Sequence, residues 1–167
     1  MKAVIISASV HHKNTKKIVD AIAKEYDVEV VDATKVKEKD LHSYDLIGFA
    51  SGIYYSKFHQ AILNFASVNL PQNKKVFVIY TYGSKRDYLK PFKATIKDKN
   101  PVVVGAFGCP GFDTFGPFKL VGGLQKGHPN DEDVASALSF YKTLVEVLES
   151  NEAKGGKTKV FISGKNN

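Results

Sequence analysis

The chain reads as an α/β domain, a doubly wound parallel sheet of five strands with helices on both faces. Three observations predict it. A length of 167 residues suits one domain and leaves no room for two full cores. Short β-branched runs alternate with segments whose apolar residues recur at helical spacing. The runs are near-continuously apolar, as strands buried on both faces by crossover helices must be.

Lys2 to Ile6 is the first such run, and a polar loop from Ser7 to Lys13 follows it. Ile18, Val19, Ile22 and Ala23 repeat at helical spacing, with Asn14 or Thr15 as the expected cap. Val28, Val30 and Val31 mark a second strand, and 36–42 reads as a short helix or turn. Leu46 to Ala50 is a third strand, which Ser51-Gly52 is expected to stop. Phe58, Ile62, Leu63 and Phe65 predict one face of a second helix, and Val76 to Tyr80 a fourth strand. Leu89, Phe92 and Ile96 form a helical stretch with Pro91 near its start. Val102 to Phe107 is the fifth strand. A Gly/Pro-rich connection, 108–130, carries three Phe residues and is too long to be a passive loop. Asp131 is expected to cap a last helix with Ala135, Leu138, Tyr141, Leu144, Val145 and Leu148 inward. The domain is thus expected over 1–150, followed by a basic, mobile tail over 151–167. The alternative for Val160-Phe161-Ile162 is an added strand or a docking segment.

Composition excludes several classes. No apolar run approaches the roughly 20 residues that cross a bilayer. The N-terminal apolar run is too short for a signal-peptide core. A single Cys rules out an internal disulfide framework and fits a reducing cytoplasm. Lys+Arg 24 against Asp+Glu 17 give a net charge of +7 and a pI near 9.3. Such a balance favours nucleic acid, anionic lipid or an acidic protein as partner. The excess sits in 85–99 and in the tail, with no zinc spacing, aromatic-basic motif or helix-turn-helix pattern, so nucleic acid is not expected.

In such sheets ligands bind beyond the carboxyl ends of the strands, where the strand order reverses. The loop after strand one runs Ser7-Ala8-Ser9-Val10-His11-His12-Lys13-Asn14-Thr15 into a helix, and hydroxyls with free amides there suit an anion. No G-x-G-x-x-G or Walker motif is present. After strand three comes Ser51-Gly52-Ile53-Tyr54-Tyr55-Ser56, and after strand four Thr81-Tyr82-Gly83. Glycine lets a planar ligand approach the backbone, and tyrosine can stack on it.

Residues 1–150 resemble the flavodoxin-like FMN proteins. Ser7-x-Ser9 with Asn14-Thr15 is similar to that family's phosphate loop, 44–54 to its third strand and first flavin loop, and 80–84 to its second flavin loop. The resemblance implies strand order 2-1-3-4-5, with the FMN phosphate on Ser7, Ser9, His12, Lys13, Asn14 and Thr15. It also implies that Ser51, Gly52, Ile53, Tyr54, Tyr55 and Ser56 cover one region of the flavin, and Thr81, Tyr82 and Gly83 another. Tyr54 is expected to be the closer stacking ring. The phosphate loop departs from the family by lacking its glycine and holding His11-His12-Lys13 instead. The implied function is electron transfer with a redox partner protein or small-molecule acceptor, acidic given the basic pI. The alternatives are an oxidoreductase acting on a quinone or porphyrin precursor, and a flavin-free interaction module. No catalytic acid–base residue is expected, because the flavin supplies the chemistry. Neither is a metal, because His11-His12 has no nearby third ligand.

Overall fold

β1 (Ala3–Ala8) is buried from Val4 onward, because it is flanked by strands on both sides and by helices on both faces. The structure, a computed structural model, describes residues 1–155 and 160–164. After β1 come α1 (Asn14–Tyr26), β2 (Glu29–Asp32), β3 (Leu46–Tyr54), β4 (Lys57–Phe58), α2 (Gln60–Asn69), β5 (Lys75–Tyr82), α3 (Leu89–Ile96), β6 (Val102–Pro110), α4 (Asp131–Ala153) and β7 (Ile162–Ser163). Single 3-10 turns occupy Lys97–Lys99 and Gly116–Val121.

The sheet runs β2-β1-β3-β5-β6-β7, with β4 paired antiparallel to β3. It therefore has seven strands rather than five, although the five long ones keep the expected order. The two additions are two residues long each, too short to show periodicity. Within 151–167 the described residues include β7, in line with the alternative of an added strand around Val160-Phe161-Ile162. α4 continues to Ala153, Ile162 pairs with Gly105, and Ser163 pairs with Ala106. The amide of Gly164 donates to Ala106 O at 2.9 Å. Residues 156–159 and 165–167 lie outside the described residues.

Alternation along the strands divides the core. Val4 and Ile6, Ile47 and Phe49, and Val76 and Val78 face α2 and α3, meeting Ile62, Phe65, Phe92 and Ile96. Ile5, Leu46, Ala50, Phe77 and Ile79 face α1 and α4, meeting Ile18, Ile22, Phe140, Tyr141 and Leu144. Burial raises the Tyr141 phenol to about 12.

Local expectations shift where tertiary contacts win. Asn130 caps α4, not Asp131, in a reciprocal capping box with Asp133. The inward stripe of α4 takes in Ala137 and Phe140 and leaves Ala135 exposed. Phe58 sits in β4, and α2 begins after it with His59 as cap, its ring nitrogen accepting the Ala61 amide at 3.1 Å. α1 has no side-chain cap from Asn14 or Thr15. β3 runs past Ser51-Gly52 because Ser51 and Gly52 remain paired to Tyr80 and Thr81 of β5. Residues 36–42 contain no helix, only a turn at its end. Among the described residues no helix is long and apolar enough to cross a membrane.

Candidate functional site

A cleft of about 600 Å³ opens at the carboxyl ends of β1, β3, β5 and β6. Its inner end is the β1–α1 loop. His12 and Lys13 lie there in the left-handed region, at φ 52° and 55°. The Lys16 amide finds Ser9 Oγ at 3.2 Å, and the Lys17 amide finds Lys13 O at 3.0 Å. The amides of Asn14 and Thr15, at the start of α1, have no intrahelical acceptor and carry the positive end of the helix dipole. Thr15 is fully buried, with its hydroxyl 2.9 Å from Thr81 Oγ1.

One side of the cleft is the β3–β4 hairpin. Ile53 and Tyr54 pair with Phe58 and Lys57, which leaves Tyr55 and Ser56 as the two turn residues. Both have positive φ, 49° and 62°, as a two-residue turn matched to strand twist requires. Tyr54 folds back over Gly52, where an added Cβ would meet its hydroxyl at 3.0 Å. Its Oη accepts the amides of Val10 at 3.2 Å and His11 at 3.4 Å. The Tyr54 oxygen thus stands where loop amides converge, as an anion oxygen would. Tyr55 is 80% exposed and packs edge-on against Phe115, 4.8 Å between centroids.

The opposite wall is the segment after β6. The Gly111 amide donates to Tyr82 O, Phe112 to His128 O, and Asp113 exchanges bonds with Leu124 at 3.0 and 2.7 Å. Asn14 Nδ2 donates to Phe112 O at 2.8 Å, and the His12 ring lies 2.8 Å from Thr114 Oγ1. The far end of this connection is pinned to α4, where the buried Asp133 carboxylate accepts the Asn130 amide and meets His128 Nδ1 at 2.6 Å. Glycine keeps the cleft open: a Cβ on Gly83 would collide with the Asp113 carboxylate, and one on Gly111 would meet Asn14 and Thr81.

The floor is the end of β5. Tyr82 is only 4% exposed, and its hydroxyl has no hydrogen-bond partner among the described residues. Burial, with smaller contributions from Cys109, Asp133 and Tyr88, pushes its pKa up, so it stays a neutral donor. A buried orphan hydroxyl costs free energy unless something enters to meet it. It lines a space with aromatic walls and an amide-rich inner end, the donor set that a flavin ring bearing a phosphate would meet.

Of the residues predicted from sequence, Asn14, Thr15, Gly52, Ile53, Tyr54, Tyr55, Ser56, Thr81, Tyr82 and Gly83 line the cleft. Ser7, Ser9, His12, Lys13 and Ser51 are not part of that lining, and His12 and Lys13 are exposed. Ser7 is buried in β1, and the Ser51 hydroxyl donates to Gly52 O and accepts the His59 amide at 2.9 Å. Sequence reasoning missed the outer wall: Ser84, Arg86, Tyr88 and most of 111–119. The signal was present, because Phe112, Phe115 and Phe118 recur in a glycine-rich connection directly after a strand end.

Comparison with known proteins identifies the family and the fold. Residues 4–109 match the family described as Flavodoxin domain. The chain is 41% identical over 149 residues to the uncharacterized protein MJ0298 of Methanocaldococcus jannaschii, covering 87% of this chain and 99% of that one. Among solved structures it is similar to a flavodoxin from the domain Archaea, with TM-score 0.66, 18% identity, and coverage of 89% of this chain and 99% of the other. It is also similar to a flavoprotein from Lactobacillus acidophilus in complex with FMN, with TM-score 0.51, 17% identity, and coverage of 64% and 92%. The family match spans more than half of the chain and accords with its fold, and the chain belongs to the flavodoxin domain family.

Proposed function

We propose that this protein binds FMN in the strand-end cleft and transfers electrons through it. One observation carries the reading: the cleft joins an amide-rich inner end to an aromatic end whose buried Tyr82 hydroxyl lacks a partner among the described residues. The amides of Asn14 and Thr15 hold the phosphate, and Ser7, Ser9, His12 and Lys13 shape and charge the loop around it. Residues 51–56 cover one region of the ring system, and Thr81, Tyr82 and Gly83 another. Tyr82 donates to the ring, and the aromatic walls exclude water from it. FMN bound there supplies one- and two-electron redox chemistry that no side chain of this protein provides.

The partner is a redox protein or a small-molecule acceptor, acidic in either case, and nucleic acid is not among the partners. The small-molecule reading has its own support, because Arg86 and Lys119 line the outer cleft and would attract an anionic acceptor. Cys109, the single cysteine, is buried and forms no disulfide, which suits a cytoplasmic setting.

Fluorescence titration with FMN and with riboflavin tests this. Riboflavin has no phosphate, and each hydrogen bond it cannot make in the loop weakens its binding by about 1.5–3 kcal/mol. FMN therefore binds far more tightly, and Ser9→Ala with Thr15→Ala narrows the gap. A colourless protein that quenches neither flavin is the interaction module instead. Equal affinity for both removes the phosphate assignment.

A further inference from the structure

The outer wall of the cleft ends in two apolar side chains, Leu120 and Val121, that are not among its lining. The turn Gly116–Val121 presents Leu120 at 89% exposure and Val121 at 74%, with Phe115 at 52% beside them. A Cβ added to Gly116 or Gly122 would meet nothing within 4 Å, so the turn stands clear of the body. The other exposed apolar side chains, such as Val30, Val68 and Val102, are scattered singly on different elements.

Cations lie in and near this knob. Lys119 is in the turn itself, and Lys57 begins β4 of the hairpin whose Tyr55 packs on Phe115. Lys126 follows Gln125, whose side chain reaches Gly83 O at 3.5 Å. Among the described residues none of these three lysines is in an ion pair, as is true of several lysines elsewhere on the surface. The nearby Asp113 carboxylate is turned inward to the Phe115 amide at 2.8 Å.

Exposed aliphatic tips beside Lys119, on a protein of net charge +7, fit an anionic lipid surface. The tips enter the acyl boundary while lysine stems lie along it and keep their ammonium groups at the headgroups. A protein interface instead depletes lysine and favours complementary, flatter packing. A second copy of this chain would set like charge against like. We propose that the Gly116–Val121 turn docks the protein reversibly on an anionic bilayer, with the mouth of the cleft toward the lipid. The inference does not depend on FMN.

The chain has no tryptophan, so Leu120→Trp introduces a sole indole at a position exposed enough to tolerate it. Its emission shifts to the blue and is shielded from iodide with phosphatidylglycerol vesicles, but not with phosphatidylcholine vesicles. Adding Lys119→Gln and Lys126→Gln weakens the association about fivefold per lysine. In the otherwise unaltered protein, Leu120→Gln with Val121→Gln abolishes co-sedimentation with phosphatidylglycerol vesicles, and Val68→Gln on α2 does not. Absence of a shift with either vesicle overturns the proposal, as does an equal shift with both. Equal loss in the Val68 variant does the same. So does a shift produced by an acidic ferredoxin and by neither vesicle, which would make the knob a protein-docking site.

Discussion

Phe77 and Tyr82 stand on the same strand and are both buried, yet they do opposite things. Phe77 lies in the middle of the sheet, directly opposite Gly48 of β3, and its ring fills the space a Cβ there would need. Tyr80 repeats the device opposite Gly108 of β6. In the middle of the sheet, glycine exists to be covered by an aromatic neighbour. At the carboxyl end glycine has the other use: Gly83 and Gly111 hold side chains away from a cleft, and Tyr82 is buried without a partner for its hydroxyl among the described residues. One region has its packing satisfied by the chain itself. The other is left incomplete, which is what a binding site requires.

The sharpest way to break this contrast is at the satisfied end. Gly48→Ala forces a methyl into the Phe77 ring and should destabilise the protein by about 1–3 kcal/mol, the usual cost of overpacking. The denaturant midpoint falls with an unchanged m-value. The inner end of the cleft is remote from Gly48, so flavin affinity of the folded fraction is retained. An unchanged midpoint would mean that Phe77 moves aside at no cost and that the middle of the sheet is not fully packed.

At the incomplete end the sign reverses. Tyr82→Phe removes a hydroxyl that is buried and unpaired, and should stabilise the ligand-free protein by up to about 1–3 kcal/mol. It should also weaken FMN binding, because the bound ring loses a donor. Thermal melts with and without FMN measure both effects. A variant less stable without ligand would show that Tyr82 already has its partner.

The smallest effect lies on the hairpin side, where His59 begins α2. Burial, with Lys37 nearby, lowers its pKa below the usual 6.5, and its ring nitrogen must stay unprotonated to accept the Ala61 amide. As acid is added the unfolded chain takes up this proton first. His59 therefore contributes full stability above about pH 6.5 and loses it as pH falls through that value toward the lowered native pKa. His59→Asn keeps a cap that does not titrate. Urea melts across this range should show a shallower acid slope in the variant, and an identical slope would place the titrating group elsewhere.

Much of the architecture is legible because it depends on patterns carried by long segments. The five long strands each declare themselves by uninterrupted β-branched or aromatic runs, and their order follows from the loop residues that resemble the flavodoxin-like proteins. The inner cleft is legible for a related reason: Asn14-Thr15, Gly52 to Ser56, and Thr81 to Gly83 each lie at or shortly beyond the carboxyl end of a strand, so placing the strand places them. Phe58 misleads because its apolar character is equally consistent with a helix face and with a hairpin strand. β7 is only half legible, as one of two alternatives, because a lysine- and glycine-rich setting hides two residues that pair only once β6 offers an edge.

The five main strands, the four helices, the two-sided core and the segments that gather at the strand ends were readable from the sequence alone. These rest on local periodicity and on glycine and hydroxyl placement, which act within a few residues. Only the tertiary structure decided that residues 111–119 form the outer wall, that Tyr54 turns its hydroxyl onto the loop amides, and that Tyr82 is buried with nothing among the described residues to bond. Each is a relation between segments distant in the chain. Val10 and Tyr54 are 44 positions apart, Asn14 and Phe112 98. The free energy of such a contact appears only when the whole sheet has brought the strand ends together.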